Sequence, residues 1–289
     1  MGSRKEGYGS FIGLLLVIAG LGCAELPLQT PMQAPAEPAP AFTPSAAAPS
    51  PSANDPTAKL HTLHREAAER YAKVESYIVR LTRREQINGK DRPEEILLFK
   101  FRKDPWSVYF KWLGAEKNGR EVVYVRGQYE NKIHTLLAAG DIPLMPAGKR
   151  FAIAPDSPFV VSSSRHSVQE AGIGMLIENF GKALQESDRG TSMLKYLGPV
   201  QRPEFTDPCE AAEQTIAAGA EPLLPHGGRR LWVFDSTTKF PVLLITQDDH
   251  GHEVEYYCYD RFEFPVHLDE DDFNPDKLWN PKREGPPQK

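Results

Sequence analysis

The apolar positions of this chain change period several times, and each change marks an element. Between residues 57 and 75, Leu60, Leu63, Ala67, Tyr71 and Val74 recur at steps of three and four, which places them on one face of a helix. Asp55 and Pro56 supply its start, as N-cap and first helical residue. From Ser76 the period is two. Tyr77, Val79 and Leu81 alternate with Ile78, Arg80 and Thr82, and Leu97, Phe99 and Phe101 with Leu98, Lys100 and Arg102. Trp106, Val108, Phe110 and Trp112 continue the pattern after Asp104-Pro105. Asn88-Gly89 and Lys117-Asn118-Gly119 read as tight turns. Residues 121–126 and 132–137 complete five successive strands, an antiparallel meander.

Residues 138–164 carry Pro143, Pro146, Pro155 and Pro158 and read as irregular. Helical spacing returns over 167–185 through Val168, Ala171, Met175, Leu176, Phe180 and Leu184. Ser167 with Glu170 three residues on is a capping-box pattern. Gly172 and Gly174 either weaken this helix by about 1 kcal/mol each relative to Ala or permit close approach to a sheet. A second meander follows over 193–197, 210–217, 229–235, 240–247 and 252–262, with a turn at 248–251. The order helix, strands, helix, strands predicts an α+β domain, a curved antiparallel sheet with two principal helices packed on one face.

The N-terminal segment has a different pattern. Arg4 and Lys5 precede a short apolar run over 11–22 that ends Gly20-Leu21-Gly22-Cys23. A basic start, about a dozen apolar residues and small residues before a cut describe a secretory signal over residues 1–22. The run is shorter than the about 20 residues a membrane span needs. With Cys at the cut it resembles a bacterial lipoprotein signal, although Gly20 stands where Leu is usual. That resemblance implies lipidation of Cys23, anchorage to a membrane through the lipid, and a domain in the bacterial cell envelope, outside the cytoplasm. The alternative is a plain secretory signal that leaves Cys23 an ordinary thiol. Nine prolines from Pro27 to Pro56, set among Ala, Ser, Thr and Gln, make residues 23–56 a tether of polyproline II character. It reaches up to roughly 100 Å at about 3.1 Å per residue. Residues 57–280 contain no composition break and read as one globular domain, and 281–289 as a disordered tail.

A net charge of −5 argues against a nucleic-acid partner, which usually meets a basic face. Two cysteines remain besides Cys23. In an exported protein Cys209 and Cys258 point to a disulfide worth roughly 4 kcal/mol by loop-closure entropy; the alternative is two separate buried thiols. Asp248, Asp249, His250, His252 and Glu253 fall at a hairpin tip, where such residues are ordinary turn formers. The acidic run 269–276 lacks calcium-loop spacing. No metal site, cofactor or catalytic residue is expected. Ser162, Ser163 and Ser164 lie too close in sequence to His166 for a usual nucleophile and base, and Gly-x-Ser-x-Gly is absent. The most suggestive feature is an aromatic stripe, Phe99, Phe101, Trp106, Phe110 and Trp112, on adjacent strands. Such a stripe forms either a solid core beneath the helices or the wall of a cavity for an acyl chain. Arg80, Arg102 and Arg120 are candidates for a head group at its rim.

The run Phe101-Arg102-Lys103-Asp104-Pro105-Trp106-Ser107-Val108-Tyr109-Phe110-Lys111-Trp112-Leu113, then Gly119-Arg120-Glu121-Val122-Val123-Tyr124-Val125, Asn131-Lys132, Arg165-His166-Ser167 and Cys209 resemble a bacterial family known only as domain of unknown function 1571. More distantly, the helix followed by this meander looks like the half-barrel of the lipoprotein carriers LolA and LolB. That resemblance implies a hydrophobic cavity between sheet and helices, holding a lipid or lipoprotein ligand. The expected function is therefore non-catalytic binding of an acyl or lipid ligand at Phe99, Phe101, Trp106, Phe110 and Trp112. The alternative is a structural or interaction lipoprotein with a filled core and an exposed apolar patch.

Overall fold

A computed structural model describes residues 55–279, all within one compact unit. The signal over 1–22, Cys23, the tether up to residue 54 and the tail 281–289 lie outside the described residues. Helix α1 (Pro56–Ala72) starts as its sequence dictates: the Thr57 N–H donates to the Asp55 carboxylate at 2.9 Å, and Pro56 opens the first turn. Leu60 and Ala67 are buried on its inner face, with Leu63 and Tyr71 packed beside them.

Among the described residues twelve strands form one sheet, every pairing antiparallel: β1 (Ser76–Ile87), β2 (Lys90–Asp91), β3 (Glu95–Arg102), β4 (Ser107–Trp112), β5 (Glu121–Val125), β6 (Ile133–Leu136), β7 (Arg150–Ile153), β8 (Met193–Val200), β9 (Cys209–Ile216), β10 (Gly228–Asp235), β11 (Pro241–Asp248) and β12 (Glu253–Glu263). Their order across the sheet is β7-β6-β5-β4-β3-β1-β12-β11-β10-β9-β8, with β2 a short hairpin on β1. Both meanders are present, and β7 extends the first through a segment the proline content marked as irregular. The central pairing of β1 with β12, Leu81 opposite Tyr259 and Glu85 opposite Glu255, joins the two meanders into one open, curved surface.

The two principal helices are α1 and α3 (Ile173–Asp188), which pack on each other and on β8. Together with the inner-facing side chains of the strands they form the main core, which includes Val79, Phe99, Phe180, Trp232 and Phe234. The protein is thus α+β, with a curved antiparallel sheet and two principal helices on one face. The helix expected from Ser167 is shorter. Ser167 caps a 3-10 turn over Val168–Glu170, and α3 begins after Gly172. Gly172 has φ 107°, and a Cβ there would lie 2.7 Å from the Tyr77 hydroxyl. That hydroxyl accepts the Ile173 N–H at 3.0 Å, so the sheet itself satisfies a donor at the helix start. Gly174 lies as close to α1: a Cβ would meet the Tyr71 hydroxyl at 2.5 Å.

The outer face is covered in two places. Phe273 and Leu268 of the C-terminal segment, which ends in the short helix α4 (Pro275–Leu278), pack on Tyr109, Val123 and Val125. Cys209, Ala211, Val233, Leu243, Tyr256 and Cys258 form a second outer cluster. The disulfide expected between Cys209 and Cys258 is not formed, and both thiols are free and buried. They sit on β9 and β12 with β10 and β11 between. Three strand spacings are about 14 Å, beyond the roughly 7 Å over which two Cα atoms can be bridged. Among the described residues no helix is long and apolar enough to cross a membrane. A short helix, α2 (Pro158–Val161), lies in the connection before α3.

Candidate functional site

The strand register sorts the inner face into transverse rows. One row is apolar across four strands, Val79, Phe99, Phe110 and Val122 on β1, β3, β4 and β5, and continues through Thr135 and Phe151 on β6 and β7. The next row holds Tyr259, Leu81, Leu97 and Trp112. Toward the other end the rows turn polar. Trp232, Leu244, Tyr257, Arg83 and Glu95 align across β10, β11, β12, β1 and β3. Beyond them Gln214, Arg230, Thr246, Glu255 and Glu85 align across β9, β10, β11, β12 and β1.

A cavity of about 1020 Å³ lies over these rows, at the upper end of the roughly 300–1,000 Å³ usual for ligand pockets. Its apolar wall is Leu97, Phe99, Phe110, Trp112, Val122 and Ile133, faced by Val168, Met175 and Leu176. The exposed Glu178, Lys182 and Glu186 of α3 also line it, so the space reaches the surface along that helix. Of the five aromatic residues expected to line a cavity, Phe99, Phe110 and Trp112 do so. Phe101 and Trp106 do not, which corrects the expectation for these two. Phe101 stacks on Tyr77 at 4.9 Å between centroids and meets Trp106 edge-on at 6.0 Å. Phe101 fills the solid part of the core, where the start of α3 presses on the sheet through Gly172, and Trp106 packs half-buried against it.

The candidate head-group arginines are placed differently from expectation. Arg80 and Arg102 point to the outer face, Arg80 onto Asp260 and Arg102 over the Phe273 ring. Arg120 lines the cavity but is held by Asp141, with one contact at 2.7 Å.

The polar end is a network of buried charges. Glu255, 1% exposed, accepts from Arg165 Nε at 2.9 Å and lies 2.7 Å from His166 Nε2 through Oε1, and its Oε2 lies 3.7 Å from Arg230. Arg230 forks onto Glu221 with two contacts of 2.8 Å and donates to Thr246 at 3.0 Å. Arg83 binds Glu95 at 2.7 Å, and Lys117 binds the other oxygen of Glu95 at 2.7 Å. Glu85 accepts from the Tyr257 hydroxyl and from Ser164. Burial opposes the charge of Glu255, but His166, Arg230 and Arg165 outweigh it and hold its carboxyl well below the usual range. Burial likewise opposes charge on Glu95, yet Arg83 and Lys117 bring it down to about 2. His166 is raised: burial lowers it, and the Glu255 carboxylate more than compensates. Sequence reasoning set His166 aside as a catalytic base and gave Glu85, Glu95, Glu255 and Arg230 no role. The available signal was polar residues at inward positions of otherwise apolar runs, such as Arg83 and Glu85 on β1, Arg230 on β10 and Glu255 on β12.

Among the described residues no group of His, Cys, Asp and Glu is arranged to hold a metal ion. Asp248 instead accepts the backbone N–H groups of His250 and His252, which closes the hairpin tip.

The chain belongs to the DUF1571 family of proteins of unknown function, which it matches over residues 74–282. No curated protein matches it. Among solved structures it is similar to an uncharacterized conserved protein from Thermus thermophilus, at 8% identity and TM-score 0.43, over 74% of this chain and 92% of that one. It is similar to the Mycobacterium tuberculosis lipoprotein LppX at 12% identity and TM-score 0.42, over 73% and 99%. A LolA superfamily protein from Nitrosomonas europaea aligns at 10% identity and TM-score 0.32, over 75% and 98%.

Proposed function

We propose that this protein is a cell-envelope lipoprotein, anchored through Cys23, that holds an acyl or lipid ligand between sheet and helices without catalysing a reaction. The observation that carries the reading is the cavity itself. Its wall of Leu97, Phe99, Phe110, Trp112, Val122 and Ile133 is apolar and continuous, and it opens along α3. Its carboxylates are engaged by Arg83, Lys117, Arg165, Arg230 and His166, an arrangement that holds charge in place rather than freeing a nucleophile.

The test is mass spectrometry of lipid co-purified with the full-length protein, together with displacement of a fluorescent acyl probe. About one acyl-bearing molecule per chain, displaceable by the probe, is expected. A purified protein that carries no lipid and binds no probe would sink the reading. Anchorage has its own readout, the thiol count of the unfolded mature protein. A thioether-linked lipid on Cys23 leaves two titratable thiols, Cys209 and Cys258. A count of three would end the lipidation proposal.

A second reading rests on a separate observation. Leu144, Met145, Phe159 and Val161 are exposed on the segment that leads into the cavity cover, where they would suit docking to another envelope component. Changing Leu144 and Met145, which are exposed and do not line the cavity, to Asp should abolish such docking and leave probe binding intact.

A further inference from the structure

Four of the eight large apolar side chains that stand exposed among the described residues lie between β6 and α3: Leu144, Met145, Phe159 and Val161. They belong to two runs, 142–148 and 157–164, that contain no charged residue, in a chain that is 25% charged. Ile142, Phe159 and Val160 of the same runs line the cavity, so the exposed side chains adjoin it.

Leu144 is the least ordinary of the four. It is 105% exposed, and its φ is 67°. It follows Pro143 in a turn closed by the Met145 N–H on the Ile142 carbonyl at 3.1 Å, at the position where a positive φ favours Gly or Asn. A bulky side chain raises the energy of that turn and gains no burial within this chain. Neither packing nor turn chemistry accounts for a leucine at the tip. An apolar partner does.

The polar groups around these side chains are already engaged. The Val160 and Val161 N–H groups each donate to the Ser157 carbonyl at 3.0 Å, Ser162 to Pro158 at 3.0 Å and Ser163 to Val160 at 2.9 Å. The Ser162 and Ser163 hydroxyls donate to the Phe159 and Val160 carbonyls at 3.2 and 2.7 Å, and the Ser164 hydroxyl donates to Glu85 at 3.1 Å. Pro143, Pro146 and Pro158 have no N–H to satisfy. A protein interface carries about one hydrogen bond per 100–200 Å², and the second run keeps these groups for itself. Hydrocarbon offers no hydrogen bonds and favours backbone satisfied internally. Of the charged residues around the two runs, Asp141 holds Arg120, Arg150 holds Asp276 and Arg165 holds Glu255. Lys149 and Asp156 offset each other.

We propose that the two runs form a membrane-docking face. Leu144, Met145, Phe159 and Val161 insert shallowly into a lipid bilayer through apolar burial, not lipid charge, and bring the cavity against the membrane that supplies its ligand. The part concerning the ligand rests on the acyl-binding reading. Interfacial docking of this kind strengthens with the apolar area buried.

The test places an environment-sensitive fluorophore on full-length protein through Leu144→Cys or, on the exposed edge strand β8, Met193→Cys. The labelled proteins are mixed with phosphatidylcholine vesicles, with or without phosphatidylglycerol, and the parent labelled in parallel supplies the blank. Emission should shift to the blue at position 144 and not at 193. The shift should stay within about twofold with anionic lipid and at high salt, because screening acts on charge. Leu144→Gly, which relieves the positive φ, should melt no lower than the parent. Leu144→Asp with Met145→Asp should slow transfer of a fluorescent acyl probe from vesicles to protein about tenfold or more and leave equilibrium probe binding unchanged. No shift at 144, or equal shifts at both positions, overturns the docking face. So does a shift that requires anionic lipid, or one that appears with solubilised envelope proteins and not with vesicles. A Leu144→Gly protein that melts well below the parent overturns it too, since Leu144 would then serve the fold. If position 144 enters the bilayer and the probe never binds, the acyl-binding reading falls and the docking face stands.

Discussion

At the residue scale, the pair His166 and Glu255 ties the segment before α3 to the centre of the sheet, 2.7 Å apart. The two groups titrate in opposite directions. The folded-state value of His166 is raised above the ordinary 6.5, so its contribution to stability is fully present below about pH 6.5 and is lost as pH rises through the raised value. Glu255 is lowered, so its contribution is present above the ordinary carboxylate range and lost as pH falls through its folded value. Stability should therefore peak on the mildly acidic side of neutrality. His166→Asn should flatten the decline above pH 6.5 and leave the acid limb in place, which denaturant melts from about pH 2 to 9 would show. An unchanged alkaline limb would mean that His166 does not couple to folding. Glu255→Ala should cost about 3–5 kcal/mol, since it leaves Arg165 buried without its carboxylate. None of this was visible in sequence. Arg83 and Glu85 on β1, with Glu95, Gln214, Arg230 and Glu255 on other strands, are polar residues at inward positions of largely apolar runs, and only the register across β9, β10, β11, β12, β1 and β3 collects them. The same blindness produced the expected disulfide: cysteine counting carries no information on how many strands lie between two thiols. Burial, with nearby acids, pushes Cys209 up to about 11 and Cys258 up to about 12. Both should resist alkylation at pH 8 until the protein unfolds, and rapid reaction of the native protein would contradict their placement.

At the element scale, local chemistry was legible wherever a single segment determines its own geometry. The Asp55 cap, the Asn88-Gly89 turn with φ of 53° and 71°, and the period-two runs all appear where the pattern places them. The failures are tertiary. A capping box at Ser167 would start a helix there, yet the chain breaks at Gly172, because the Tyr77 hydroxyl on β1 claims the Ile173 N–H and requires a residue with no Cβ. Ser167 and Glu170 are spent on a 3-10 turn instead. β7 was missed because four residues among prolines carry too little alternation to register. Gly172→Ala tests the account of the break. At φ 107° a side chain costs about 1–3 kcal/mol of backbone strain, and the Cβ would also push the Tyr77 ring off the helix. A melting temperature lowered accordingly is expected, accompanied by weaker acyl-probe binding, since Ala171, Gly172 and Met175 all border the cavity. A variant as stable as the parent would show that α3 can start elsewhere.

At the scale of the whole molecule, the question is why so large a sheet does not simply close on a solid core. β1 and β12 zip the meanders together, and α1 and α3 lie over the β8–β12 side, where Phe180 packs on Trp232 and Phe234 at 5.4 and 4.8 Å. The β3–β7 side receives only the edge of α3 and the segment around α2, which is too little apolar volume to fill its concavity. The stripe that the sequence offered as either core or cavity is in fact both, divided between the row of Phe101 and the row of Phe99. Two substitutions on opposite sides of that division should behave differently. Phe101→Ala removes a ring packed on all sides and should cost about 3–5 kcal/mol, while the cavity wall and its probe affinity survive in the folded fraction. Met175→Trp directs extra volume into the space over Phe99 and Phe110. It should leave stability unchanged or raise it, because filling a void adds contacts without displacing any, and it should reduce acyl-probe affinity about tenfold or more. Probe titration and thermal melts on the two proteins check both statements. A destabilised Met175→Trp with undiminished probe binding would place the ligand elsewhere and leave the space above Phe110 without its proposed occupant.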